Sequence, residues 1–152
     1  MNSSGALQAQ PREFLKGDLT YMGGNMNKAL TSSMIALTGY MILIFYFSSL
    51  PGDIPPPGAE ILDIPRTIMH VGEYAILGLL VNLVMIQRSS RISKSIVYSS
   101  VFSSLYGVTD EIHQFFVPTR CFDVYDICAD TIGGMIGATF VVALFTLTKM
   151  QK

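Results

Sequence analysis

Charge is scarce in this chain: Asp, Glu, Lys and Arg make up 14% of its 152 residues, and ten basic and eleven acidic residues leave a formal net charge of −1. No basic tract occurs. Binding to a phosphate backbone requires clustered Lys and Arg, so no nucleic-acid partner is expected. The G-x-S-x-G elbow, the P-loop and the dinucleotide fingerprint are missing, which leaves serine-nucleophile and nucleotide chemistry without support. No H-E-x-x-H or similarly compact ligand spacing appears either, so neither a metal nor another cofactor is expected. Cysteine is reduced to Cys121 and Cys128, seven positions apart and without the spacing of a disulfide framework. No internal repeat is visible.

What fills the chain instead is apolar: 50% of residues are hydrophobic and the mean hydropathy is +0.45. That is a membrane-protein composition. Charges divide it into four apolar spans. No charged residue lies between Lys28 and Asp53, and a first helix over about 29–50 ends at the breaker pair Pro51-Gly52. Between Arg66 and Arg88 the only charge is Glu73, which gives a second helix over 67–86. A third, over 92–114, has only fifteen uncharged residues between Lys94 and Asp110. At 1.5 Å per residue these cover about 22 Å of a roughly 30 Å hydrocarbon layer, so Lys94 snorkels and Asp110 and Glu111 lie below the surface. The fourth helix, 126–148, carries Asp130 one turn in. The fold class expected is all-α, a four-helix transmembrane bundle forming one domain over 26–152.

Residues 1–25 are polar, contain Pro11 and several Gly, and show no apolar periodicity, so they read as a disordered tail or an extension upstream of a start at Met26. Lys28, the Arg88-Arg91-Lys94 loop, Lys149 and Lys152 are cytoplasmic by the positive-inside rule, as are both termini. Asp53, Glu60 and Asp63 then lie outside with Arg120 and Asp123. His70, Glu73, Asp110, Glu111, His113, Gln114, Arg120, Asp126 and Asp130 consequently gather near the extracytoplasmic leaflet. Ionisable groups inside a membrane span usually face a bundle interior or a wet cavity and mark a functional site.

Helical spacing sorts these residues. His70, Glu73 and Tyr74 share one face, as do Asp110 or Glu111 with Gln114, and Asp126 with Asp130. Carboxylates crowded in low dielectric cannot all stay ionised, which is how proteins hold a general acid or proton carrier near neutral pH. Arg120 offers a bidentate fork for Asp126, for Glu111 or for a lipid phosphate. Gly133 and Gly137 have the small-residue spacing of close helix packing. Phe115 and Phe116 read as interfacial anchors.

The string Tyr106-Gly107-Val108-Thr109-Asp110-Glu111-Ile112-His113-Gln114-Phe115-Phe116-Val117-Pro118-Thr119-Arg120, followed by Asp126, Asp130, Gly133 and Gly137, resembles the VanZ-like family of small integral membrane proteins. Its signature reads approximately D-E-x-x-Q-x-x-x-P-x-R, then D-x-x-x-N-x-x-G-x-x-x-G. His70, Glu73, Tyr74, Leu77 and Gly78 fit its upstream H-x-x-E-Y-x-x-L-G, and Phe47-Ser48-Ser49-Leu50-Pro51 fits its close of helix one. The resemblance covers about 29–149. Two positions depart from it: Arg66-Thr67 stands where many members have Asp-Lys, and Asp130 stands where they have Asn. The resemblance implies a role in the cell envelope, in a family named for a protein associated with teicoplanin resistance.

Three functions fit these features. In the first, the outer polar site binds a membrane lipid or a lipid-linked envelope component through Glu73, Tyr74, Gln114, Arg120, Asp126 and Asp130. In the second, a membrane-embedded enzyme works on a lipid substrate, with Asp110 or Glu111 as general base and His113 or His70 as its acid partner. The third is a small proton-linked transporter, for which no inverted repeat or broken helix is visible. The sequence favours the first, with the enzyme next.

Overall fold

The computed structural model describes residues 11–52, 66–88 and 92–150, and these form four helices: α1 (Pro11–Ser48), α2 (Arg66–Arg88), α3 (Ile92–Gln114) and α4 (Val124–Met150). The fold is all-α. Helix α1 begins further upstream than hydropathy suggests, with helical backbone from Pro11 in a region that reads as an unstructured tail. Once a long apolar helix is nucleated, each added residue contributes a hydrogen bond, so the helix propagates into polar sequence that would not start one. Residues 1–10, the acidic loop with Asp53, Glu60 and Asp63, and Arg91 and Lys152 of the charge-based orientation lie outside the described residues.

Among the described residues, three stretches are long and apolar enough to cross a membrane: Met26–Ser48, Arg66–Arg88 and Val124–Thr148. The chain is thus a multi-pass membrane protein. Helix α3 does not join that set, although it is as long as α2 at 23 residues. Of the four helices expected to be membrane-like, three are so by length and hydropathy, and α3 is not. Polar residues on one face lower its hydropathy: Ser95, Ser99, Ser103, Asp110, Glu111 and Gln114 are all buried. Its opposite face is apolar, with Val97, Val101, Leu105 and Ile112 exposed.

Helices α2, α3 and α4 pack together most closely, and α1 lies mainly against α2. Lipid is as apolar as a leucine side chain, so close van der Waals packing and hydrogen bonds hold helices together in a bilayer. The α2–α4 seam shows this directly. A Cβ on Gly137 would overlap the Ala75 carbonyl of α2, and one on Gly78 would overlap the backbone of Gly134. The small-residue spacing in α4 therefore serves packing within the bundle. Where α1 meets α2, Ile44, Tyr74, Leu77 and Val81 form a buried apolar cluster flanked by Leu37, Tyr40, Met41, Met85 and Tyr106.

Helix α1 is attached by side chains that reach across to it or from it. Tyr40 donates its hydroxyl to the Glu73 carbonyl at 3.0 Å, Tyr106 donates to the Met41 carbonyl at 2.8 Å, and Gln87 Nε2 donates to Ser33 Oγ at 2.8 Å. Each contact satisfies a polar group that has no water to turn to in hydrocarbon.

Overpacking a close helix contact costs about 1–3 kcal/mol. Gly137→Leu is expected to lower stability by at least that amount in a detergent-unfolding titration. Gly39→Ala, at a helical position where a Cβ meets nothing within 4 Å, is expected to be neutral or to stabilise by up to about 1 kcal/mol.

Candidate functional site

The beginning of α2, the end of α3 and the beginning of α4 meet at one end of the bundle, and the polar side chains of all three point into the junction. Asp123 starts α4 as its N-cap, with Oδ1 accepting from the Tyr125 N–H at 2.8 Å. The Asp123 N–H in turn donates to Glu111 Oε2 at 2.8 Å, which joins the α4 cap to α3. Asp126 falls in the first turn of α4, where a carboxylate is favoured by the helix dipole.

His70 occupies the centre. Its Nδ1 lies 2.9 Å from Asp130 Oδ1 and its Nε2 lies 3.6 Å from Asp126 Oδ2, so each ring nitrogen faces a carboxylate of α4. His70 is 5% exposed, Asp126 2%, and Asp130 and Glu111 0%. Suitable donor atoms of His70, Glu111 and Asp126 all lie within 4.8 Å of one another. Gly107 lets α3 come this close: a Cβ there would sit 2.5 Å from Asp130 Oδ2.

Arg66, one helical turn before His70, lies over the cluster. Its Nε is 3.2 Å from Asp126 Oδ2, one terminal nitrogen is 3.7 Å from Glu111 Oε1, and that nitrogen also donates to Gln114 Oε1. The Arg66 side chain is 40% exposed, so this guanidinium closes the buried cluster from its rim. Thr67 Oγ1 adds a long contact to Asp126 Oδ1 at 3.4 Å. Gln114 is fixed on its other side by donating Nε2 to Asp110 Oδ2 at 3.0 Å.

Not every residue singled out in the sequence belongs to this centre. His113 turns away towards α1, with Nε2 2.9 Å from Ser49 Oγ and its ring 4.4 Å from that of Phe45. Arg120 does not pair with Asp126 or Glu111. It donates to the carbonyls of Leu50 at 3.1 Å and Phe47 at 3.3 Å, and to Gln114 Oε1 at 3.5 Å. It thus ties the α3–α4 loop to the C-terminal carbonyls of α1. Burial, and then the neighbouring Arg66 guanidinium, lower its pKa from the usual value. The same loops meet again where the Gly52 N–H donates to Thr119 Oγ1 at 2.8 Å, with Thr119 in the left-handed region at φ 64°.

Glu73 is half-buried and within electrostatic reach of His70, Asp110 and Arg120. Tyr74 is fully buried between the His70 and Tyr106 rings, each 6.4 Å away. Its hydroxyl has no hydrogen-bond partner among the described residues, and neither do Glu111 Oε1 and Asp130 Oδ2. Phe115 and Phe116 are exposed and pack edge to face. Cys121 and Cys128 are free and exposed.

Sequence reasoning missed three participants. Arg66 and Thr67 read as a helix boundary, although Arg66 has the i, i+4 relation to His70 that places it on the same face. The backbone N–H of Asp123 carries no sequence signal at all.

Residues 33–146 match the family model described as VanZ/LLP1. The chain matches no curated protein and no solved structure.

Removing one partner of a fully buried ion pair costs about 3–5 kcal/mol. Arg66 is part-exposed, so Arg66→Gln is expected to lower stability by less, about 1–3 kcal/mol after discounting for solvent screening. In a double-mutant cycle, Asp126→Asn in the Arg66→Gln background is expected to cost less than it does alone. Additive losses would mean that the two groups are not coupled.

Proposed function

The chain belongs to the VanZ/LLP1 family, and from that membership and the buried cluster we propose that it is a membrane-embedded enzyme acting on a lipid substrate by carboxylate and histidine acid–base chemistry. One observation carries the reading. With Nδ1–H donating to Asp130, the lone pair of His70 Nε2 faces a carboxylate oxygen of Asp126 at 3.6 Å. Asp126 Oδ2 is already paired with Arg66 Nε at 3.2 Å, so His70 Nε2, at a longer 3.6 Å, is the ring position free to gain or give a proton while Nδ1 stays anchored on Asp130.

His70 is then the acid partner, held in orientation by Asp130. Glu111 is the general base: the Asp123 N–H fixes Oε2, while Oε1 is buried and free of hydrogen bonds among the described residues. Asp110 sets Gln114, and through it Arg66, and so acts as a positioning residue. The reading in which Arg120 grips an anionic ligand has less support, because the Arg120 fork already engages α1 carbonyls and Gln114.

The remaining features are consistent with such an enzyme. We take α3 as a fourth span whose polar face is hidden in the bundle, which suits its apolar outer face. The basic loop and C-terminal lysines put the cluster on the extracytoplasmic side by the positive-inside rule. A lipid headgroup can approach at the Arg66 rim while its chains stay in the bilayer.

A positioned general base contributes about 10²- to 10⁴-fold to a rate. Glu111→Gln keeps the shape of the side chain, so turnover is expected to fall by that factor while lipid binding persists. Mass spectrometry of lipid copurifying with each form checks this. A species with an altered headgroup on the variant, relative to the native chain, is expected; identical lipid on both would contradict the catalytic reading.

A further inference from the structure

His70, Glu111 and Asp126 present one imidazole and two carboxylates from three different helices, with donor atoms within 4.8 Å of one another. We infer that these three side chains form a binding site for a divalent transition-metal ion of the Zn²⁺ or Mn²⁺ type, which enters as the Arg66 guanidinium withdraws.

The first support is the orientation of His70. Metal-binding histidines almost always donate their second ring N–H to a carboxylate or carbonyl, which fixes the tautomer and aims the other nitrogen at the metal. The 2.9 Å contact of Nδ1 with Asp130 has that form, and it leaves Nε2 facing Asp126 and Glu111. An acidic cluster alone would not suffice. The second sign is Glu111 Oε1, which belongs to a fully buried side chain, accepts no hydrogen bond among the described residues and has only the longer 3.7 Å ion-pair contact with Arg66.

Charge balance points the same way. Glu73, Asp110, Glu111, Asp126 and Asp130 outnumber Arg66 and Arg120, and they act on one another and on His70 across the same junction. Buried charges are ordinarily paired or coordinate metals. The carboxyl groups are thus in formal excess, and a divalent cation favours the ionised form of those that hold it, which an added anion would not. One nitrogen and two oxygens suit Zn²⁺ and Mn²⁺ rather than Ca²⁺ or Mg²⁺, which take oxygen ligands.

The geometry needs one adjustment. Ligands about 2.1 Å from a tetrahedral ion are ~3.4 Å apart, so the three groups close in by ~1 Å when the ion binds. Arg66 spans two of them now, at 3.2 Å from Asp126 and 3.7 Å from Glu111, and its half-exposed side chain can swing to the rim. Guanidinium and metal are therefore alternative occupants. The ion and the acid–base chemistry are alternative states of the same residues, since His70 and Glu111 cannot hold a metal and transfer a proton at once; occupancy is measured without turnover, so each reading can fail separately.

The test uses the full chain in lipid nanodiscs, with Cys121→Ser and Cys128→Ser so that no thiol competes. After chelator treatment it is dialysed against ZnCl₂, MnCl₂ or MgCl₂ and metal per chain is measured. One equivalent of Zn²⁺ or Mn²⁺ is expected, and no Mg²⁺ at the same concentration. His70→Ala and Glu111→Gln are expected to lose the ion, Asp130→Asn to bind it about 10- to 100-fold more weakly, and Arg66→Gln to bind it more tightly. Should the ligand variants fail to fold, the Co²⁺-loaded chain without them decides: intense visible bands of a low-coordinate nitrogen and oxygen site support the inference. Substoichiometric metal, weaker binding in Arg66→Gln, or a cobalt spectrum indistinguishable from that of the free aqueous ion would overturn it.

Discussion

A hydrogen bond of 2.9 Å between His70 and Asp130 joins α2 to α4 inside the bundle, and the polar centre is arranged around it. In water such a pair would add little, because both groups can be solvated. Inside a membrane bundle a hydrogen bond contributes about 1–2 kcal/mol, while an unpaired polar group costs several. The bond also sets the imidazole plane, and with it the direction of Nε2. Asp126, Glu111 and Arg66 then take their places around that nitrogen.

The contact depends on how closely the helices approach. Gly78, Gly134 and Gly137 remove the side chains that would hold α2 and α4 apart, and Gly107 does the same between α3 and Asp130. Small residues thus do two things at once. They supply the close packing that holds helices together in lipid, and they bring carboxylates from separate helices within reach of one imidazole. A polar site of this density inside an apolar bundle is stable only when nearly every member has a partner. Glu111 Oε1 and Asp130 Oδ2, which accept no hydrogen bond among the described residues, are exceptions, and exceptions of this sort mark where chemistry or a ligand belongs.

Much of this arrangement was legible in the residues. The apolar spans between charges showed an all-α chain of four helices, and the spacing of His70 with Glu73 and Tyr74, and of Asp126 with Asp130, showed which side chains share a face. Other parts required the fold. His113 follows Glu111 by two residues, a rotation of about 200° on a helix, so it points to α1 when Glu111 points inward. That relation was in the sequence, yet both were grouped because both are polar. Arg66 was hidden by its place at a boundary, where a charge normally marks solvent. Hydropathy also ranked α3 by its average, while its structure is two-sided, with serines and carboxylates inside and Val97, Val101 and Leu105 outside. No metal-like spacing was visible, because ligands drawn from three helices leave no local pattern.

Whether Asp130 holds the buried His70 imidazole is read out by nitrogen-15 NMR of the histidines. The chain has two histidines, so His113 serves as an internal reference in a histidine-labelled sample in nanodiscs. A His70 Nδ1 proton that is strongly hydrogen-bonded, protected from exchange with water, and displaced by Asp130→Asn while the His113 signals stay in place is expected. A His70 signal that exchanges freely with water and ignores Asp130→Asn would contradict that anchoring.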